Sequence, residues 1–178
     1  MTVVAATKYV DVDAMKALAE AGVTVVGENR AQDLAAKHAA YGSAFRWHFI
    51  GHLQSRKAQT VNALCELCHS LDSVSAARRL EIPALVQVNL ADEESKSGVA
   101  VEQLDAFLAE CPAEVVGLST MPPLADDPET SRPYFRRLRE LAEAHGLAQL
   151  SMGTTQDYRV AVDEGATLVR VGAALFQG

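Results

Sequence analysis

Cysteine is scarce in this chain: Cys65, Cys68 and Cys111 are the only three in 178 residues. That number is too small for a disulfide scaffold. Cys65-Glu66-Leu67-Cys68-His69 matches the spacing of a c-type haem attachment site. Such attachment needs an export route, and the opening MTVVAATK has no basic stretch ahead of an apolar run. No second ligand pair follows at a spacing that completes a zinc site. The cysteines therefore read as buried structural residues of a reducing, cytoplasmic compartment. Apolar runs are too short to cross a bilayer. Basic charge is short as well: 16 Lys and Arg face 23 Asp and Glu, leaving a net charge of −7. That balance argues against nucleic acid or an anionic membrane as the main partner. Low-complexity linkers are absent, so 1–178 reads as one domain with its own core.

The chain does hold eight strand-like segments alternating with helical ones. The expected strands are Thr2–Lys8, Thr24–Asn29, Arg46–Leu53, Leu67–Leu71, Ala84–Leu90, Val115–Met121, Gln149–Gly153 and Thr167–Gly172. Between them, apolar residues recur at helical spacing, as with Val12, Met15, Leu18 and Ala19. Expected helices cover 11–22, 31–40, 55–64, 74–80, 101–111, 133–145 and 156–164, several closed by a glycine. Ser55 is a plausible cap for the third.

The strands are continuous apolar runs, as parallel strands buried on both faces should be. A doubly wound open sheet is the rival architecture, but it usually carries a Gly-rich loop after its first strand. Ala5-Ala6-Thr7-Lys8-Tyr9 has no glycine. The expectation is a (β/α)8 barrel, short for its kind at 178 residues. Closure puts the eighth strand beside the first, and chemistry belongs at the C-terminal strand ends.

Three segments fall at those ends. Lys8 closes the first strand, where desolvation would lower its pKa and free the amine to attack an aldehyde. Ser151-Met152-Gly153-Thr154-Thr155 follows the seventh strand, and its small and hydroxyl residues suit an anion. Arg170 and Gly172 end the eighth strand, and barrels often bind phosphate through the loops after their last two strands. A lysine, an arginine and a glycine turn in one mouth suit a phosphorylated aldehyde. Each residue also has a plainer reading: a lysine snorkelling to solvent, a threonine cap, an arginine in a structural ion network. His48 and His52 share a strand face at i, i+4, but no third metal ligand can be placed, so they read as packed histidines and no metal is expected.

These segments together resemble the YggS/PROSC group, the pyridoxal phosphate homeostasis proteins. The matching stretches are Ala6-Thr7-Lys8, Gly27-Glu28-Asn29, Trp47 to Ser55 (WHFIGHLQS), Cys68-His69-Ser70-Leu71-Asp72, Gln87-Val88-Asn89, Ser95-Lys96-Ser97-Gly98, Ser151-Met152-Gly153 and Val169-Arg170-Val171-Gly172. The resemblance implies a fold type III barrel like that of alanine racemase, without that enzyme's additional β domain. It implies pyridoxal 5'-phosphate (PLP) as cofactor, held as a Schiff base on Lys8. Arg170 matches the arginine facing the pyridine nitrogen. Ser151, Gly153, Thr155 and Gly172 fall where the family holds the phosphate, and Asn29 and His48 match residues near the ring. The sequence departs from the family in lacking a helix before the first strand, in a short segment between Ser75 and Pro83, and in Thr154-Thr155 where Met-Ser is common.

An arginine cannot accept a proton, so a pyridine nitrogen facing it stays neutral and the ring is a weak electron sink. The implied function is intracellular PLP homeostasis: a monomeric binding protein that stores the cofactor or delivers it to PLP-dependent apoenzymes. The alternative is a weak amino-acid racemase, which would need a second acid/base on the opposite ring face. None of Tyr9, Tyr41, Tyr134 and Tyr158 is compelling for that role.

Overall fold

A computed structural model describes residues 1–91, 97–172 and 175. Among the described residues nine strands form: β1 (Thr2–Ala6), β2 (Val25–Glu28), β3 (Arg46–Phe49), β4 (Leu67–Leu71), β5 (Ala84–Asn89), β6 (Val99–Ala100), β7 (Val115–Ser119), β8 (Gln149–Thr154) and β9 (Leu168–Val171). Seven helices separate them: α1 (Met15–Glu20), α2 (Ala31–Tyr41), α3 (Ala58–Leu64), α4 (Val74–Ala77), α5 (Leu104–Glu110), α6 (Arg132–Ala144) and α7 (Tyr158–Asp163). All strand pairs are parallel. The order is β4-β3-β2-β1-β9-β8-β7-β5, and a β4–β5 pairing closes it into an eight-stranded (β/α) barrel. The two-residue β6 hangs on β5 outside that ring and was not expected from the sequence.

Both strand faces are buried, which explains the unbroken apolar runs. Inside the barrel, Val4, Val25, Leu67, Leu85 and Leu168 cluster with Ile50 and Val116. Alternate strand residues, such as Ala5, Val26, Phe49 and Cys68, join the helices' Met15, Leu34, Val61, Leu138 and Val160 in a larger outer core. The inner cluster stops short of filling the barrel. One layer holds polar side chains instead, and that layer supports the site.

Several boundaries differ from the sequence reading. β3 ends at Phe49, so Ile50–Leu53 is a loop and not a strand. His52 therefore leaves the face it would share with His48 and pairs with Asp72, Nδ1 to Oδ2 at 3.2 Å. Ser55 opens a 3₁₀ turn and caps nothing: Gln54 precedes that turn, and the Ser55 hydroxyl meets that of Ser75. The serine that does cap a helix is Ser73, whose Oγ accepts the Ala76 N–H at 3.3 Å ahead of α4. Ser95 and Lys96 of the Ser-Lys-Ser-Gly stretch lie outside the described residues.

Candidate functional site at the barrel mouth

Pairing of β1 with β9, Val4 beside Arg170 and Ala5 beside Val171, brings the C-terminal ends of these two strands together at one rim. A cavity of about 680 Å³ opens there, bordered by Lys8, Asn29, Thr155, Arg170 and Gly172, among others. Lys8 lies just beyond the end of β1 and is exposed, its Nζ 4.6 Å from the centroid of the Tyr9 ring. The desolvation expected of a strand-end lysine is therefore not found: the strand stops at Ala6, and the side chain leaves the apolar wall for the cavity rim.

What fixes Lys8 is the backbone behind it. The carbonyl of Thr7 accepts from Lys37 Nζ at 2.7 Å, and the Thr7 hydroxyl donates to Glu28. Lys37 and Glu28 form a buried ion pair, and the second Glu28 oxygen accepts the Asn29 N–H at 3.3 Å. One carboxylate thus ties the end of β1 to the end of β2. An ion pair this deep is costly to desolvate and tolerable only when both partners are well satisfied. Lys37 stands on the buried face of α2 with Ala31 and Leu34, three residues apart each time. That spacing is a readable signal for an inward lysine, although none of the site residues expected from the sequence includes it.

Asn29 is held from the other side by Gly51. A Cβ at Gly51 would sit 2.0 Å from the Asn29 carbonyl oxygen, so only glycine fits beneath that peptide. Ser70 donates to the Gly51 carbonyl and pins the loop. The Asn29 carboxamide oxygen is the one buried side-chain nitrogen or oxygen, among the described residues, with no hydrogen-bond partner. An orphaned acceptor of this kind usually has a reason.

Arg170 enters the barrel from β9 and is buried. Its Nη1 donates to Ser151 Oγ at 2.7 Å and to the Ser151 carbonyl at 3.2 Å, and its Nη2 donates to the Thr120 carbonyl at 2.8 Å. Burial pulls its pKa down to about 10, and the charge of Asp157 works the other way. The guanidinium is still cationic at neutral pH. Below it, Ser151 Oγ meets His69 Nδ1 at 2.7 Å, and His69 Nε2 meets His48 Nδ1 at 2.9 Å. Burial, and after it the charge of Arg46, lowers the His48 pKa to about 4. His69 is pushed well below its usual value by burial, then by His48 and Arg170.

The loop after β8 completes the rim. The Thr154 amide and hydroxyl both donate to Asp157 Oδ1, at 2.7 and 3.2 Å, and Ser131 donates to Oδ2 at 2.8 Å. Thr155 is left facing the cavity, its hydroxyl accepting the Gly172 N–H at 3.2 Å. Gly153 has a positive φ of 89°, and an added Cβ would lie 2.5 Å from that of Ala161.

Of the eight residues expected around the cofactor, Lys8, Asn29, Thr155, Arg170 and Gly172 border the cavity. Three do not. Ser151 lies one layer down and holds Arg170. Gly153 serves the packing of α7 against β8. His48 faces a different cavity at the N-terminal strand ends, beside Arg46 and Glu66. The reason is register: His48 precedes Ile50, which does reach the mouth, by two residues on the same inward face.

The family model for the alanine racemase N-terminal domain matches residues 3–178, and the chain belongs to that family. Within it, two similar relatives are named pyridoxal phosphate homeostasis protein. The one from Aquifex aeolicus (strain VF5) is 38% identical over 191 residues, covering 96% of this chain and 84% of its own. That of Escherichia coli (strain K12) is 33% identical, covering 99% and 85%. Among solved structures, PipY of Synechococcus elongatus PCC7942 with PLP bound superimposes with a TM-score of 0.89 at 30% identity, over 99% of this chain and 92% of that one. Alanine racemase from Corynebacterium glutamicum shares the fold, with a TM-score of 0.76 at 16% identity, and this chain covers 98% of itself but 55% of the racemase.

Proposed function

We propose that this protein binds pyridoxal 5'-phosphate in the barrel mouth, with covalent attachment at Lys8, and serves PLP homeostasis. The observation that carries the reading is the convergence of Lys8, Asn29, Thr155, Arg170 and Gly172 on one cavity of about 680 Å³. The donor set fits the group. Arg170 has five N–H donors, of which the barrel engages three, leaving the Nε–H and one on Nη2. The unpartnered Asn29 oxygen would accept from a ring substituent. The Thr155 hydroxyl and the Gly172 N–H would hold the phosphate oxygens in place of each other.

Bound PLP supplies an aldehyde for the amine and a ring that withdraws electrons. The chain's own contribution is to hold that ring against an arginine, which cannot act as the carboxylate partner that keeps the nitrogen protonated. This favours retention of the cofactor over turnover of amino acids. PLP-dependent apoenzymes as recipients, a cytoplasmic location and a monomeric state belong to the same proposal. No helix among the described residues is long and apolar enough to cross a membrane.

The test is borohydride reduction of the PLP-loaded protein followed by peptide mapping. The reduced adduct is expected on Lys8, and Lys8→Ala should lose both the adduct and the near-visible absorbance of bound cofactor. An adduct on another lysine in the wild type would sink the assignment. Incubation with L- and D-amino acids in deuterated water separates binding from racemisation: Cα–H exchange at an enzymatic rate would favour the racemase.

A further inference from the structure

The polar layer beneath the mouth is an unusual use of a barrel interior, which is ordinarily filled by branched apolar side chains. Here His48, His69, Ser151 and Arg170 follow one another by hydrogen bonds of 2.9, 2.7 and 2.7 Å. The chain begins at the cavity on the N-terminal face, which His48 borders, and ends at the cavity on the opposite face, where buried Arg170 forms part of the lining.

Hydrogen counting decides how this chain works. Arg170 can only donate, so Ser151 Oγ must accept from it. A hydroxyl that accepts from a cation is a better acceptor when its own proton is drawn away along the chain. His69 Nδ1, 2.7 Å from Ser151 Oγ, is the acceptor positioned to draw it. With Nδ1 accepting, His69 carries its proton on Nε2 and donates it to His48 Nδ1. Ser119 donates to the His69 carbonyl and holds the backbone that aims the ring. The opposite tautomer would turn an N–H toward Ser151 Oγ, which would then take two donors, one of them a cation.

We propose that His69 is a positioning residue: by accepting the Ser151 hydroxyl proton it locks Ser151 as the acceptor for Arg170 Nη1, and so turns the free Nε and Nη2 edge of Arg170 toward the pyridine nitrogen. His69 never touches the cofactor; it acts through Ser151. The inference rests on the proposed function for the ring that Arg170 meets, but its tautomer stands on the apo protein alone.

The experiment therefore has two arms. In the apo protein, ¹H–¹⁵N NMR of the histidine side chains should show His69 neutral, protonated on Nε2 and bare on Nδ1. An Nδ1–H tautomer or an imidazolium overturns the proposal. In the PLP-loaded protein, His69→Leu and Ser151→Ala should each shift the absorbance maximum of the bound cofactor and speed its release about tenfold, the effect of losing one hydrogen bond on a charged group. His69→Asn, whose amide can keep an acceptor near the Nδ1 position, should restore both. A merely structural role predicts instead that melting temperatures fall, that the spectrum holds, and that Asn rescues nothing. Arg170→Lys separates the two readings. If it shifts the spectrum and His69→Leu does not, this inference fails alone. If wild type takes up no PLP, the functional reading fails while the NMR arm still decides the tautomer.

Discussion

Two histidines kept neutral inside a barrel give the protein an acid liability. The His48 pKa falls from 6.5 to about 4 on folding, and that of His69 moves the same way. Between those values the unfolded chain binds a proton that the folded chain refuses. Stability from these residues is thus fully present above about pH 6.5 and is lost as pH falls toward 4. The shift on His48 alone corresponds to about 3 kcal/mol. Urea denaturation midpoints should drop clearly between pH 7 and pH 5, and His48→Asn should flatten that drop. A wild-type midpoint that is level across this range would contradict the burial argument. Little of this was legible in the sequence. His48 matched a family position near the ring, but its partner His69 was only one letter of a quoted stretch. Nothing in spacing says that residues of β3, β4, β8 and β9 share a layer; that follows from barrel register.

Whole elements were easier to read than single side chains. All eight barrel strands and seven helical segments fall where apolar runs and helical spacing put them, because burial on both faces writes itself into composition. Ends were read less well. β3 stops at Phe49 since the loop beyond it must pass under Asn29, a tertiary demand with no local signature. That crossing yields a prediction. In Gly51→Ala, a Cβ 2.0 Å from the Asn29 carbonyl oxygen would force the ends of β2 and β3 apart. The variant should lose roughly 1–3 kcal/mol, as overpacked sites do, and hold PLP less well than wild type. Thermal melts and cofactor release measured together check this, and an unchanged release rate would show that the Asn29 peptide does not matter to the site. The mouth itself was half legible. Lys8, Asn29, Thr155, Arg170 and Gly172 are legible from strand ends and motif, whereas the partner that Lys37 meets, Glu28 at the end of β2, is set by the tertiary packing of α2 and has no local signature.

At the scale of the molecule, cofactor and fold are linked by mass action. A ligand that binds only the folded barrel stabilises it by about 2.7 kcal/mol at a hundredfold excess over its Kd. For a chain of this size that is roughly 5–11 °C in melting temperature. Adding PLP to apo protein should produce such a rise, and Lys8→Ala should show a smaller one. An equal rise in the variant would place the binding energy away from the lysine.

The β1–β9 seam also has a temporal meaning. β1 leaves the ribosome long before β9, and neither edge alone forms the rim. A nascent chain halted anywhere before β9 would carry Lys8 with no arginine opposite it. Capture of the vitamin therefore waits for β9, and the yellow colour of the loaded protein would mark chains in which that strand has been made and has docked on β1.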